Sequence, residues 1–350
     1  MIKTTAIKLQ NPEPMMVTWD IGRRCNYDCS YCEASRHNNT SKHRSMEEMI
    51  SVLNFIKNYT SLYNCEKVNI NFTGGEPTNN PIFFDFVKHV KQQKNYGLGL
   101  TTNGAFSSKF IDTIEECFDW VTVSYHCESN NKLKENVLEN IIELHKRKIR
   151  LSVNVMMHVD YWDECVDVCN NLKSHDIKFN PRPIGDGNTT VKGWFADTNG
   201  DQRRTSHEYS IEQQQWYFSF MNLPSSSNSS KEGTELGRNC CGGRCIQGKV
   251  NDQWVDVKLV DTNFKGWYCS VNKYFLHIDQ ETGLVYHHQT CQAKFNNSRG
   301  SIGNLSNTQD IFDYVIKNKD TTIICPNSRC GCGMCIPKAE NFEDYIKITN

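Results

Sequence analysis

Hydrophobic and polar positions in the first 180 residues alternate between two periods. Runs of period two predict strands at Met15–Asp20, Val68–Phe72, Tyr96–Thr102, Trp120–Tyr125, Arg150–Met157 and Asp176–Asn180. Apolar residues at helical spacing fill the gaps. Met46, Met49, Ile50, Leu53 and Ile56 share one face of a helix that opens on the capping-box pair Ser45 and Glu48. Further helices are predicted at Pro81–Gln93, Ser107–Cys117, Lys132–Lys148 and Asp160–Lys173. This order implies a parallel sheet with helices outside it, open or curled toward a barrel. In such folds chemistry collects where strands end and loops begin.

The pattern breaks after the sixth strand. Residues 184–210 read as loop, a helix starts at Ser210, and Pro224–Ser230 reads as a flexible segment. Farther on, Tyr274 to Gln289 alternates around Glu281-Thr282-Gly283, which predicts a β-hairpin.

Cysteine changes the picture. The chain of 350 residues holds 17, within an otherwise ordinary composition of 38% hydrophobic and 23% charged residues. The N-terminus has no signal-like apolar segment and no run is long enough to span a bilayer, so a reducing, cytoplasmic setting is expected. There, so many thiols read as metal or cluster ligands rather than disulfides. The net charge of -1 offers nucleic acid no electrostatic handle. Cys65, Cys117, Cys127, Cys165 and Cys169 are scattered through strands and helices and read as small core residues.

Three other cysteines, Cys25, Cys29 and Cys32, fall in one short loop after the first strand, with Tyr31 just before the last. Thiolates suit zinc or iron–sulfur clusters. A closed zinc site needs a fourth ligand. Three thiolates on a four-iron cluster instead leave one iron open. This CxxxCxxC loop resembles the signature of the radical S-adenosylmethionine (SAM) superfamily. The resemblance implies a partial (βα)6 TIM-like barrel over residues 1–185. It also implies a [4Fe–4S] cluster that binds SAM, and a one-electron donor of the flavodoxin or ferredoxin type.

The same resemblance assigns SAM contacts at later strand ends. They are Gly74, Gly75, Glu76 and Pro77 after the second strand, Thr102 and Asn103 after the third, and Ser124 and His126 on the fourth. Asn154 on the fifth and Arg182 after the sixth complete the set, with Arg182 a bidentate donor for the SAM carboxylate. The two glycines let backbone approach a ligand closely, and the carboxylate of Glu76 can accept from an ammonium.

Nine cysteines lie between residues 240 and 335. A hairpin flanked by Cys269 and Cys291, followed by Cys325, Cys330, Cys332 and Cys335, resembles the SPASM and twitch modules that hold auxiliary clusters. Residues 240–350 are expected to form this cysteine-rich hairpin and helix module, and 186–239 a connector. One auxiliary [4Fe–4S] cluster is expected on Cys269, Cys291 and two of the last four cysteines. The two cysteines left over from the last four, with Cys240 and Cys245, are available for a second cluster or zinc, and Cys241 is given no role. His287 and His288 read as surface or capping residues.

Hydrogen abstraction from a small molecule (a sugar, a nucleotide or an amino-acid derivative) is the expected chemistry, because only about 14 residues precede the first strand and leave no room for a peptide-recognition domain. A peptide or protein substrate is the alternative. A non-catalytic, cysteine-rich zinc-binding protein is the alternative from another class.

Overall fold

The computed structural model describes residues 4–9, 14–32, 37–184, 193–196, 202–205, 209–222, 246–256, 263–288, 291, 293–295, 298–327 and 336–349. Cys240, Cys241, Cys245, Cys330, Cys332 and Cys335 lie outside them.

Six parallel strands form the body of the fold: β2 (Met15–Asp20), β3 (Val68–Thr73), β4 (Tyr96–Thr102), β5 (Trp120–Tyr125), β6 (Leu151–Met157) and β7 (Phe179–Pro183), paired in chain order. Helices α1 (Met46–Ser61), α2 (Phe83–Lys91), α3 (Ile111–Cys117), α4 (Asn131–Lys146) and α5 (Trp162–Ser174) return the chain between them. This is the parallel α/β arrangement that the alternating periods imply, and it fits the partial barrel that the resemblance implies.

Period two separates the two faces of the sheet. Val68, Ile70 and Phe72 are buried under the helices, as are Val121, Val123, Val153 and Val155. Phe72 meets Trp19 and Phe86 with ring centroids 5.5 and 6.1 Å away, and burying such a ring contributes roughly 2–3 kcal/mol. The other face carries Asn71, Thr101, Ser124, Ser152, Asn154 and Asn180, all half-buried. Side chains bond across it, as in Asn71 Nδ2 to Thr101 Oγ1 at 3.2 Å and Asn180 Nδ2 to Ser152 Oγ at 3.4 Å.

Several elements differ from expectation. A strand at Thr4–Leu9 (β1) precedes β2, where no element was expected, and pairs with Ile246–Val250 and Lys338–Ala339 in a second sheet. The sixth strand falls at Phe179–Pro183, displaced from Asp176–Asn180. Asp176 takes φ +55° in the turn after α5, and β7 is the edge of its sheet, where prolines are tolerated.

The predicted hairpin forms from Phe275–Asp279 and Leu284–Tyr286, with Gly283 at φ +73°. It is joined to the barrel: Phe275–Asp279 runs parallel to β2 in five-residue register and extends the same sheet. Cys269 is not on its arm. It sits in a two-residue strand, Tyr268–Cys269, that pairs with Ile323–Ile324 in the second sheet. His287 is neither surface nor cap, but buried behind the hairpin against Tyr59.

Candidate active site: a cysteine loop seated on the ends of the strands

The loop leaves β2 at Asp20 and is held by backbone hydrogen bonds to the next strand end. Ile21 N donates to Thr73 O at 3.0 Å, Gly75 N to Gly22 O at 2.8 Å, and Glu76 N to Arg24 O at 2.8 Å. This contact explains the two glycines. A Cβ on Gly75 would stand 2.4 Å from Arg24 O and 2.5 Å from Arg23 O, and one on Gly74 would stand 2.5 Å from Gly22 O. The backbone these glycines let in is that of the cysteine loop itself.

Glu76 is buried and turned into the protein. Its Oε1 accepts from Thr78 N (3.0 Å), Thr78 Oγ1 (2.7 Å) and Thr102 Oγ1 (2.7 Å), and Oε2 accepts from Asn103 N (2.6 Å). Four donors occupy about as many sites as a carboxylate offers. Burial raises its pKa, opposed by the hydrogen bonds from Asn103, Thr78 and Thr102. Pro77, also buried, opens the short turn that Glu76 caps. Asn103 then reaches the loop, its Nδ2 donating to Asn26 Oδ1 at 2.7 Å. Glu76 thereby fastens the ends of β3 and β4 beneath the cysteines.

Cys25, Cys29 and Cys32 gather in one packed cluster with Tyr27, Tyr31, Ala105 and Leu133. Burial pushes the Cys25 thiol up to about 11 and the Cys29 thiol up to about 12, and negative charge on neighbouring thiols adds to both. Groups that repel one another's charge in a dry loop suit an added positive centre. No three Cys, His, Asp or Glu side chains among the described residues converge as single-ion ligands. The irons of a cubane occupy separate corners, so three thiolates spread along a loop fit a cluster better than one ion.

A second set of contacts holds the loop from the side of β5 and β6. His126 Nδ1 lies 2.5 Å from Tyr31 Oη and 3.5 Å from Cys29 Sγ, with its ring stacked on Tyr31. Its enclosure lowers its pKa to about 4, so it is neutral. Glu128 Oε2 accepts from Ser30 N at 2.9 Å, and its Oε1 lies 3.5 Å from His158 Nε2. His158 Nδ1 accepts from Asp160 N at 3.2 Å, which leaves the Nε2 proton directed at Glu128. Neither Glu128 nor His158 was expected from sequence; their only signal was a place just beyond a strand end.

Ser124 and Asn154 are register partners on the polar face, and Arg182 Nε donates to Asn154 Oδ1 at 3.3 Å. These three therefore form one row on the open face. His126 faces the cysteine loop instead.

Among the C-terminal cysteines, Cys269 and Cys291 are buried. Cys325 N donates to Trp267 O at 2.9 Å, two residues before Cys269.

Residues 19–172 match the model of the Radical SAM superfamily. Two curated relatives, the GTP 3',8-cyclases of Clostridium perfringens strains SM101 and 13, are each 26% identical over 178 residues, covering 47% of this chain and 54% of the relative. The chain spans about half the length of the curated relatives it matches. Among solved structures, that of Streptococcus suis SuiB shares the fold with a TM-score of 0.50 at 13% identity, covering 88% of this chain and 66% of that one. The structure of anSMEcpe with bound AdoMet gives 0.48 at 15% identity, covering 86% and 80%.

Proposed function

We propose that this chain, a member of the radical SAM superfamily through residues 19–172, cleaves SAM reductively and uses the resulting radical to take a hydrogen atom from a small molecule. The observation that carries this reading is the seat of the cysteine loop. Gly74, Gly75, Glu76 and Asn103 clamp it over the polar strand ends.

Cys25, Cys29 and Cys32 would hold a [4Fe–4S] cluster, which would supply the electron that cleaves SAM to methionine and a 5′-deoxyadenosyl radical. The residues of this chain do the rest. Gly74 and Gly75 set the distance between loop and sheet. Ser124 and Asn154 offer a hydroxyl and an amide for the SAM ribose, and Arg182 a guanidinium for its carboxylate. Asn71, Thr101, Ser152 and Asn180 on the same polar face offer amides and hydroxyls, which complement a hydroxyl-rich substrate such as a sugar or a nucleotide. Abstraction leaves 5′-deoxyadenosine and a substrate radical. The curated relatives act, by name, on a nucleotide, which favours the same substrate class over the shared core.

An auxiliary cluster on Cys269, Cys291 and two of Cys325, Cys330, Cys332 and Cys335 belongs to this reading, as does a flavodoxin- or ferredoxin-type donor. Support comes from the burial of Cys269 and Cys291 and from Cys325 N, which bonds to Trp267 O two residues before Cys269. The many thiols fit a reducing cytoplasm. Among the described residues no helix is long and apolar enough to cross a membrane.

The test is anaerobic turnover with reductant and SAM against panels of nucleotides, aminosugars and peptides, reading 5′-deoxyadenosine. Stimulation by a small molecule is expected. Stimulation by peptides alone rejects the substrate class, and a colourless, zinc-loaded protein that ignores SAM rejects the chemistry.

A further inference from the structure

Cys29 is contacted from outside its own loop. His126 Nδ1 lies 3.5 Å from Cys29 Sγ, within hydrogen-bond reach of sulfur, although 97 residues separate the two. Cys25 Sγ, by contrast, accepts from Tyr27 N at 3.4 Å, a bond within the loop. The His126 ring is held between two tyrosines of that loop. It meets Tyr27 edge-on with centroids 5.8 Å apart, and lies against Tyr31 at 5.9 Å with 15° between the planes. Its backbone is tied as well, because Ser129 Oγ donates to His126 O at 3.1 Å. The imidazole therefore has little freedom to turn Nδ1 away from the sulfur.

The tautomer follows from the charges. A neutral imidazole carries one N–H, and Nδ1 also stands 2.5 Å from Tyr31 Oη. Were Nδ1 the bare nitrogen, it would accept the Tyr31 proton and turn its lone pair toward Cys29. A thiol that ligates metal is deprotonated, and its negative sulfur repels that lone pair. With the proton on Nδ1, one N–H serves both Tyr31 Oη and Cys29 Sγ. Tyr31 then turns its own proton to the sulfur, a bond that favours the thiolate against the cost of its burial.

Hydrogen bonds to the sulfurs of an iron–sulfur cluster offset negative charge and so ease the arrival of an electron. We propose that His126, together with Tyr31, donates to the sulfur of Cys29 and raises the reduction potential of the cluster held by Cys25, Cys29 and Cys32. The inference rests on the cluster reading given above and deepens it. It places His126 in electron acceptance rather than in holding SAM.

The test is a redox titration of the anaerobically reconstituted, full-length protein without SAM, followed by electron paramagnetic resonance. The loop cluster is the reduced signal that disappears in the Cys25→Ala/Cys29→Ala/Cys32→Ala variant. His126→Leu and His126→Asn have nearly the same shape, but only asparagine keeps an N–H near the place of Nδ1. His126→Leu is expected to make reduction at least tenfold less favourable, a midpoint about 59 mV lower for a one-electron couple. His126→Asn is expected to stay within about threefold of the parent. Tyr31→Phe keeps the stacked ring without the hydroxyl and is expected to lose about threefold. It also decides the question if His126→Leu fails to load a cluster. An unchanged midpoint in His126→Leu or, where that variant does not load, in Tyr31→Phe would overturn the proposal. So would equal losses in His126→Leu and His126→Asn, which mark packing rather than a hydrogen bond. A parent with no such signal would instead overturn the cluster reading on which the inference rests.

Discussion

Glu281, at the tip of the C-terminal hairpin, is ion-paired to Arg44, which stands between the cysteine loop and α1. The same carboxylate accepts from Ser41 Oγ at 3.1 Å, and the neighbouring Gln280 accepts from Trp19 Nε1 at 2.9 Å. A residue more than two hundred positions away thus braces the segment that closes the cysteine loop.

This pair is partly shielded, with about a fifth of each side chain exposed. Its loss lies between the values for surface and buried pairs, roughly 1–3 kcal/mol. Glu281→Gln is expected to lower the unfolding free energy by that amount, read from a denaturant titration, and to speed release of iron from the anaerobically reconstituted protein. Unchanged iron release would show that the hairpin does not brace the loop.

Gly75→Ala places a methyl group against two carbonyl oxygens of the cysteine loop. The strands need not move, so far-ultraviolet circular dichroism is expected to stay native-like. The visible iron–sulfur absorption should fall to a small fraction of the parent's. Full cluster loading in this variant would remove the glycine argument.

Glu76→Gln replaces an acceptor by an NH2 group that faces donors only, leaving at least one buried N–H or hydroxyl unsatisfied. A cost of about 1–3 kcal/mol follows, together with weaker SAM binding as the ends of β3 and β4 separate. Urea denaturation and equilibrium dialysis with SAM measure the two effects. Were SAM affinity lost with stability intact, Glu76 would be touching SAM directly and the clamp described above would be wrong.

His287 gives a pH dependence whose sign is fixed. Its folded pKa is about 3, while the unfolded chain titrates near 6.5. Between those values the unfolded state binds the extra proton, so stability rises with pH at about 1.4 kcal/mol per unit for this one group. The gain is complete above about pH 6.5 and lost as pH falls toward 3. The parent and His287→Gln, compared by urea denaturation from pH 4 to 8, should differ by that slope, because His126 titrates in the same window in both. Parallel profiles would contradict it.

Legibility in the sequence followed the range of each interaction. The Ser45 and Glu48 capping box is local and forms as written, with Glu48 N donating to Ser45 Oγ at 3.3 Å and Ser45 N to Glu48 Oε2 at 2.7 Å. Trp120–Tyr125 appears at its expected bounds because period two marks it without proline or glycine. What depended on distant partners did not show. The parallel pairing of Phe275–Asp279 with β2 joins segments over 250 residues apart. Glu128 and His158 have no motif of their own, and the contact between them, which backs the bond from Ser30 N to Glu128, exists only once β5 and β6 lie side by side. Glu76 was legible as part of a site, but its four internal donors come from residues up to 27 positions on.

The central claim is that Cys25, Cys29 and Cys32 hold a cluster that cleaves SAM. The most direct measurement is 5′-deoxyadenosine formed from SAM under dithionite by the anaerobically reconstituted parent and by the Cys25→Ala/Cys29→Ala/Cys32→Ala variant. The account predicts cleavage by the parent, and none by the variant even if it retains iron at the C-terminal cysteines. Cleavage that persists in the variant, or a parent that holds a four-iron cluster yet leaves SAM intact, would contradict it.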